Sequence, residues 1–185
     1  GGTKVAYIGI ATPESFSKST PAYFQDENGN YIYSFCEDDD GSALYKAVQE
    51  TVDAARKAGA KYVVALAHLG NEGITERWTS KAVIANTTGI DAVLDGHDHE
   101  TISTKVANKE GKEVVLAEAG QEGGKLATLG KLTIAADGTI TSELISAKDY
   151  TAKDETVAAY IANIESTFSD TVSKVVAKSA ITLPD

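Results

Sequence analysis

The sequence predicts an α/β fold, and three observations lead there. Residues 4–10, 62–67 and 91–94 are short apolar runs rich in β-branched residues, the signature of buried strands. Between them lie stretches with apolar residues at three-to-four spacing, the repeat of a helix packed on one face. The order strand, helix, strand, helix, strand belongs to an α/β sandwich with at least some parallel pairing.

Each element has its own reason. The first strand stops at Ala11-Thr12-Pro13, where proline ends regular pairing. Residues 14–35 form a Ser- and Tyr-rich connection. In it, Glu27-Asn28-Gly29-Asn30 predicts a hairpin turn between Tyr23-Phe24 and Tyr31-Ile32-Tyr33. The acidic run from Glu37 to Asp40 lacks the alternate carboxylates and twelfth-position glutamate of a calcium loop. It reads as a helix start, with Ser42 or Asp40 as N-cap. Leu44, Val48, Val52, Ala55 and Ala58 then mark one helical face, closed by Gly59. A short helix is expected over 75–86, with Gly89 after it. Residues 114–119 and 125–134 read as strands, and Asp137-Gly138 turns into a further strand over 140–146. This second half is expected to be antiparallel. Val157, Tyr160, Ile161, Ile164, Phe168, Val172, Val175 and Val176 mark the face of a long final helix, as core or as a seam between domains. Leu183-Pro184-Asp185 reads as the beginning of a further segment.

Composition narrows the classes. At 185 residues, 42% hydrophobic and 24% charged, the chain is a globular domain with at most a short appendage. Its formal charge of −10 repels nucleic acid and anionic membranes. The single cysteine, Cys36, excludes a disulfide framework and reads as a packing residue. No run approaches the ~20 apolar residues of a membrane span. The absence of methionine and the Gly1-Gly2-Thr3 start suggest an excised or processed segment.

Three histidines carry the chemistry: His68, His97 and His99. Each stands just past a predicted strand, at the edge where open α/β sheets bind ligands. In Gly96-His97-Asp98-His99 the imidazoles share a face if the chain stays extended, or diverge toward neighbouring ions if it turns at Asp98. Gly96 is expected to admit close backbone approach. Imidazole suits zinc, iron, nickel or manganese better than magnesium or calcium. Divalent ions would also reverse the local field of an acidic chain, activate water and orient a phosphate oxygen. Gly120-Gln121-Glu122-Gly123-Gly124-Lys125 fails as a phosphate loop, because Leu126 replaces Ser or Thr and a strand follows it.

The segments His68-Leu69-Gly70 and Asp95-Gly96-His97-Asp98-His99 resemble the last two motifs of calcineurin-like metallophosphoesterases. Residues 9–14 and 119–125, with the strand 129–134, are similar to flanking elements of the 5′-nucleotidase branch. The resemblance spans roughly residues 3–150. It implies part of a two-sheet αββα sandwich with mixed sheets over 1–150. Residues 151–185 would be a linker helix toward a C-terminal substrate domain. It implies two divalent metal ions (zinc, manganese, iron or similar), with His68 and His97 on one and His99 on the other. Asp95 is expected to bond backbone rather than metal, and Asp98 to be an exposed polar side chain.

The family's early motifs are Asp-x-His, Gly-Asp and Gly-Asn-His, and the sequence has no further histidine to fill them. They are expected upstream of Thr3, so no catalytic residue is assigned within the chain and the isolated segment is expected to be inactive. The implied activity is release of phosphate from nucleoside monophosphates by attack of a metal-bound hydroxide, outside the cytoplasm. Three alternatives stay open. The chain could serve a 2′,3′-cyclic-nucleotide phosphodiesterase or thiohydrolase branch, a single-zinc three-histidine hydrolase, or a non-catalytic metal-binding or interaction module.

Overall fold

The computed structural model describes residues 2–72, 75–122 and 125–178. The chain forms two compact units, Gly1–Asp149 and Tyr150–Asp185.

The first unit is α/β. Its strands are β1 (Val5–Ala11), β2 (Tyr62–His68), β3 (Ala92–Asp95), β4 (Thr101–Ala107) and β5 (Glu113–Ala119), which form one sheet in the order β1-β2-β3-β5-β4. β1, β2, β3 and β5 run parallel, and β4 lies antiparallel to β5. The registers Ala11↔His68 and Asp95↔Glu118 bring the carboxyl ends of the parallel strands to one rim.

Helices α1 (Ser15–Lys18), α2 (Ser42–Lys57) and α3 (Ser80–Asn86) connect the strands. Leu44, Val48 and Val52 of α2 and Val83 and Ile84 of α3 are buried in one core cluster with Ile8, Ile10, Val63, Ala65, Val93, Val114 and Leu116. Strand alternation puts these sheet residues on a single face. The opposite face carries the antiparallel pair β8 (Thr128–Ile134) and β9 (Ile140–Ser146), which packs on β4 and β5. A Ser103–Ser142 hydroxyl pair at 2.8 Å ties it to β4. In sequence, β5 and β8 are joined through a two-stranded antiparallel pair, β6 (Gln121–Glu122) and β7 (Lys125–Leu126). Helices, a mixed sheet and a smaller antiparallel sheet are the layers expected of part of an αββα sandwich.

Local chemistry sets the helix boundaries. Asp38 caps α2, accepting hydrogen bonds from the Gly41 and Ala43 N–H groups (both 2.6 Å) and the Ser42 hydroxyl. The Asp40 carboxylate accepts from the Ser42 N–H at 2.9 Å. The acidic run thus starts a helix, but the N-cap position is Gly41 at φ +83°, not Ser42 or Asp40: Ser42 is the first helical residue, and Asp38 reaches the free N–H groups from three residues before the cap. Gly59, at φ +88°, ends α2 in the left-handed conformation that glycine adopts without strain. At the head of β3, Asp91 is 9% exposed and gathers the Arg56 guanidinium (2.5 Å), the Lys112 ammonium (3.2 Å) and the Val63 N–H (2.8 Å).

Several expectations change. β1 is half-buried rather than buried, because it lies at the edge of the sheet; Tyr7 is exposed on the face away from the core. Tyr23-Phe24 is the end of a 3₁₀ turn begun by Pro21, not a strand, although the Asp26–Asn30 turn itself closes. The helix expected over 75–86 is a 3₁₀ turn, Glu76–Trp78, followed by α3, whose N-cap Thr79 hydroxyl accepts from Ala82 N–H. The second half is not uniformly antiparallel: β5 pairs in parallel with β3.

The second unit holds α4 (Glu155–Val172), capped by Asp154, which accepts from the Val157 N–H at 2.9 Å. None of its residues is buried, so its apolar stripe is not a core. Residues 183–185 lie outside the described residues. Among the described residues, no helix is long and apolar enough to cross a membrane.

Candidate functional site

The rim where the parallel strands end collects three loops. β1 runs into Thr12, whose N–H donates to the His68 carbonyl at 3.0 Å. β2 delivers His68, and β3 delivers the turn 96–99. The His68 and His97 rings meet edge to face, their centroids 4.9 Å apart. His99 follows on the same turn with an exposed side chain. Its ring makes no hydrogen bond or ring contact with a described residue, while its carbonyl accepts from Gln121 N–H at 3.1 Å. The structure therefore joins two of the three imidazoles directly.

The turn is strained. His97 has φ +112° and His99 φ +65°, in the half of backbone space that L side chains avoid. Each such residue costs about 1–3 kcal/mol and persists only where its surroundings impose it. Gly96 is not the residue that relieves crowding here. A Cβ built there would lie 3.6 Å from the His68 Nδ1, an ordinary contact, so the expected need for glycine is not met.

Three acidic side chains impose the geometry. Asp95 Oδ1 accepts from the Leu69 N–H at 2.9 Å and from the Gly96 N–H at 2.8 Å, the backbone role expected of it. Asp98 is not the freely exposed side chain expected. It accepts from the Asn71 and Glu72 N–H groups across the gap to the loop after β2, and from Glu100 N–H in its own turn. Burial pushes its carboxyl up, but these N–H groups and a hydrogen bond with Glu118 hold it below the usual carboxylate range. Glu118, at the end of β5, is 2% exposed. Burial first, then its hydrogen bond with Asp98 and repulsion from Asp98 and Asp95, push its carboxyl up to about 8 against the pull of the Asn71 amide.

Glu14 is the functional candidate that sequence reasoning missed. It is 5% exposed and sits at the start of α1. One oxygen accepts from the Thr75 N–H and hydroxyl, both at 2.9 Å. The other lies 2.5 Å from the Lys18 ammonium and 3.1 Å from His97 Nε2. Burial pushes its carboxyl up, yet the hydrogen bonds from Lys18, Thr75 and His97 outweigh this and lower it to about 2. An ionised carboxylate only accepts, so His97 Nε2 is the donor in this contact. Two sequence signals pointed near it: Glu14 closes the 9–14 segment singled out by resemblance, and it lies three residues beyond a strand that ends at this rim.

Imidazole and carboxylate donors of this kind suit zinc, manganese or iron. His68 and His97 offer two nitrogens to such an ion. Among the described residues, no group of three or more His, Cys, Asp or Glu side chains is placed to hold one. The residues present fit a share of a metal shell, not a whole one.

Cys36 packs against the core cluster, as expected. The run 120–125 opens with Gly120 at φ +69° and leads into a two-residue strand rather than a helix, and its residues 123–124 lie outside the described residues. No family model matches this chain, and no curated protein matches it.

Proposed function

We propose that this chain supplies the imidazole-bearing part of a dinuclear-metal phosphohydrolase centre, acting as a 5′-nucleotidase. The observation that carries this reading is the meeting of His68 and His97 at the carboxyl rim of adjacent parallel strands, with His99 two residues on. Divalent ions, when bound there, supply the positive charge that orients a phosphate oxygen and activates water. The chain's own part is to present neutral imidazoles. Glu14 accepts from His97 Nε2, which on this reading leaves Nδ1 as the atom that would bind an ion, the usual division between a ligand and its supporting carboxylate. His68 and His97 would serve one ion and His99 the other. The bridging aspartate and the remaining ligands would come from the early Asp-x-His, Gly-Asp and Gly-Asn-His motifs of the resembled family, for which this sequence has no histidine beyond these three. On this reading the protein works outside the cytoplasm, on a nucleotide or related phosphate ester, and this chain alone is inactive.

The test is a substrate panel of AMP, UMP and a 2′,3′-cyclic nucleotide, run on a polypeptide that joins this chain to those motifs. Phosphate release from AMP and UMP, abolished by His97→Ala, is the expected result. Preference for the cyclic nucleotide would move the assignment to the phosphodiesterase branch. Hydrolysis of AMP by this chain alone would overturn it. One observation favours a second reading, a non-catalytic module: His97 Nε2 is already engaged by Glu14, as in a structural histidine. Unchanged turnover in His97→Ala would select that reading.

A further inference from the structure

We propose that Asn71, Asp98 and Glu118 form a bracket that positions the turn carrying His97 and His99, with Glu118 as the buried hydrogen-bond donor on which Asp98 depends. The proposal rests on the reading that these imidazoles are the working groups of the rim.

The geometry starts from the backbone. His97 and His99 both have positive φ, and Asp98 lies between them. A turn of two non-glycine residues in that region relaxes unless something outside it holds on. Two side chains of the turn reach other loops: His97 meets Glu14 after β1, and Asp98 holds the loop after β2 through the Asn71 and Glu72 N–H groups. Asn71 is itself 7% exposed, and its amide donates to Glu118 Oε2 at 3.2 Å and to Asp95 Oδ2 at 3.4 Å. The loop after β2, the turn after β3 and the end of β5 are thereby tied at one point.

Glu118 has a conspicuous defect unless it donates. Its Oε1 is buried and meets no hydrogen-bond partner among the described residues when it is treated as a carboxylate oxygen. A buried acceptor facing another carboxylate is strongly unfavourable. As a neutral carboxyl, Glu118 resolves the conflict by donating to Asp98, which already accepts backbone N–H groups as an anion does. Burial, together with Asp98 and Asp95 facing it, holds Glu118 in that neutral form at neutral pH. The requirement is for a donor at this position, not for a charge.

That distinction supplies the experiment. The chain has three histidines, so the Cε1–Hε1 region of its imidazole carbon–proton correlation spectrum has three assignable signals. Spectra of the wild type at pH 7 are compared with Glu118→Gln, which keeps a donor, Glu118→Leu, which removes it, and Asp98→Ala, which removes the acceptor at a less buried position. Circular dichroism checks that each variant is folded. The expected result is that Glu118→Gln leaves the His97 and His99 signals in place. Glu118→Leu and Asp98→Ala should displace both toward unstructured values, with His68 following only through its ring contact with His97. Unmoved His97 and His99 signals in folded Asp98→Ala would overturn the proposal, as would displacement by Glu118→Gln as large as that by Glu118→Leu. If Glu118→Leu fails to fold, Asp98→Ala against Glu118→Gln decides. Neither metal nor substrate enters this measurement, so failure of the bracket leaves the phosphohydrolase reading standing, and failure of that reading leaves the bracket standing.

Discussion

Replacing Glu14 by glutamine removes a negative charge from a buried site and leaves its shape. The carboxyl sits at about 2 in the native protein against an ordinary 4.5. A depressed carboxyl adds stability above its unfolded value and loses it as pH falls toward its folded value. The window here runs from about pH 4.5 down to about pH 2. Taken whole, that difference amounts to about 3 kcal/mol at pH 7. Part of it belongs to Lys18, whose side chain is 55% exposed. An ion pair screened by solvent contributes less than about 1 kcal/mol, so about 2 kcal/mol remains for the buried hydrogen bonds from Thr75 and His97. Urea unfolding followed by the fluorescence of Trp78, the only tryptophan, measures this directly. Glu14→Gln, which loses the Lys18 pair as well, should be less stable by about 2–3 kcal/mol at pH 7, with the gap closing toward pH 2. Lys18→Ala should lose less than half as much. A gap that stays constant between pH 7 and pH 2, or that vanishes at pH 7, would refute the reasoning.

Two other perturbations follow from the same geometry. Glu118→Gln should show the opposite pH trend. The native carboxyl at about 8 keeps a proton that the unfolded chain releases near 4.5, so wild-type stability falls as pH rises between them. The glutamine variant should therefore gain on the wild type by up to about 1.4 kcal/mol per pH unit in this window, and parallel stability curves would contradict it. Asp91→Ala strands the Arg56 guanidinium and leaves the Val63 N–H without its acceptor. Its unfolding free energy should drop by about 3–5 kcal/mol, and a loss under 1 kcal/mol would show that the cluster is not a structural tie.

Most of the sheet was legible because its strands are continuous β-branched runs closed by turn residues. Tyr62–His68 and Ala92–Asp95 needed no further information. β4 was not legible. Thr101–Ala107 is largely exposed, and its threonines, serine and lysine carry no apolar alternation. The direction of β5 was also hidden, since composition does not say whether a strand pairs with its hairpin partner alone or also with β3. At the rim, histidines following apolar runs were visible one by one. Their meeting depends on the register Leu66↔Leu94, which no local pattern encodes. Glu14 and Asn71 were out of reach for the same reason. Glu14 reaches His97 across 83 positions of sequence, and Asn71 reaches Glu118 across 47.

The Asp91 cluster stands at the amino end of β3, at the opposite end of that strand from the His97 turn. The Asp91 end of the sheet is dense with partners, and the other end carries left-handed histidines and buried polar atoms that lack a partner among the described residues. Such a division lets a lineage vary the chemistry at the open end while the closed end keeps the chain above the threshold for folding. Changes of specificity should therefore accumulate in the loops after β2 and β3 and spare the arginine–aspartate anchor.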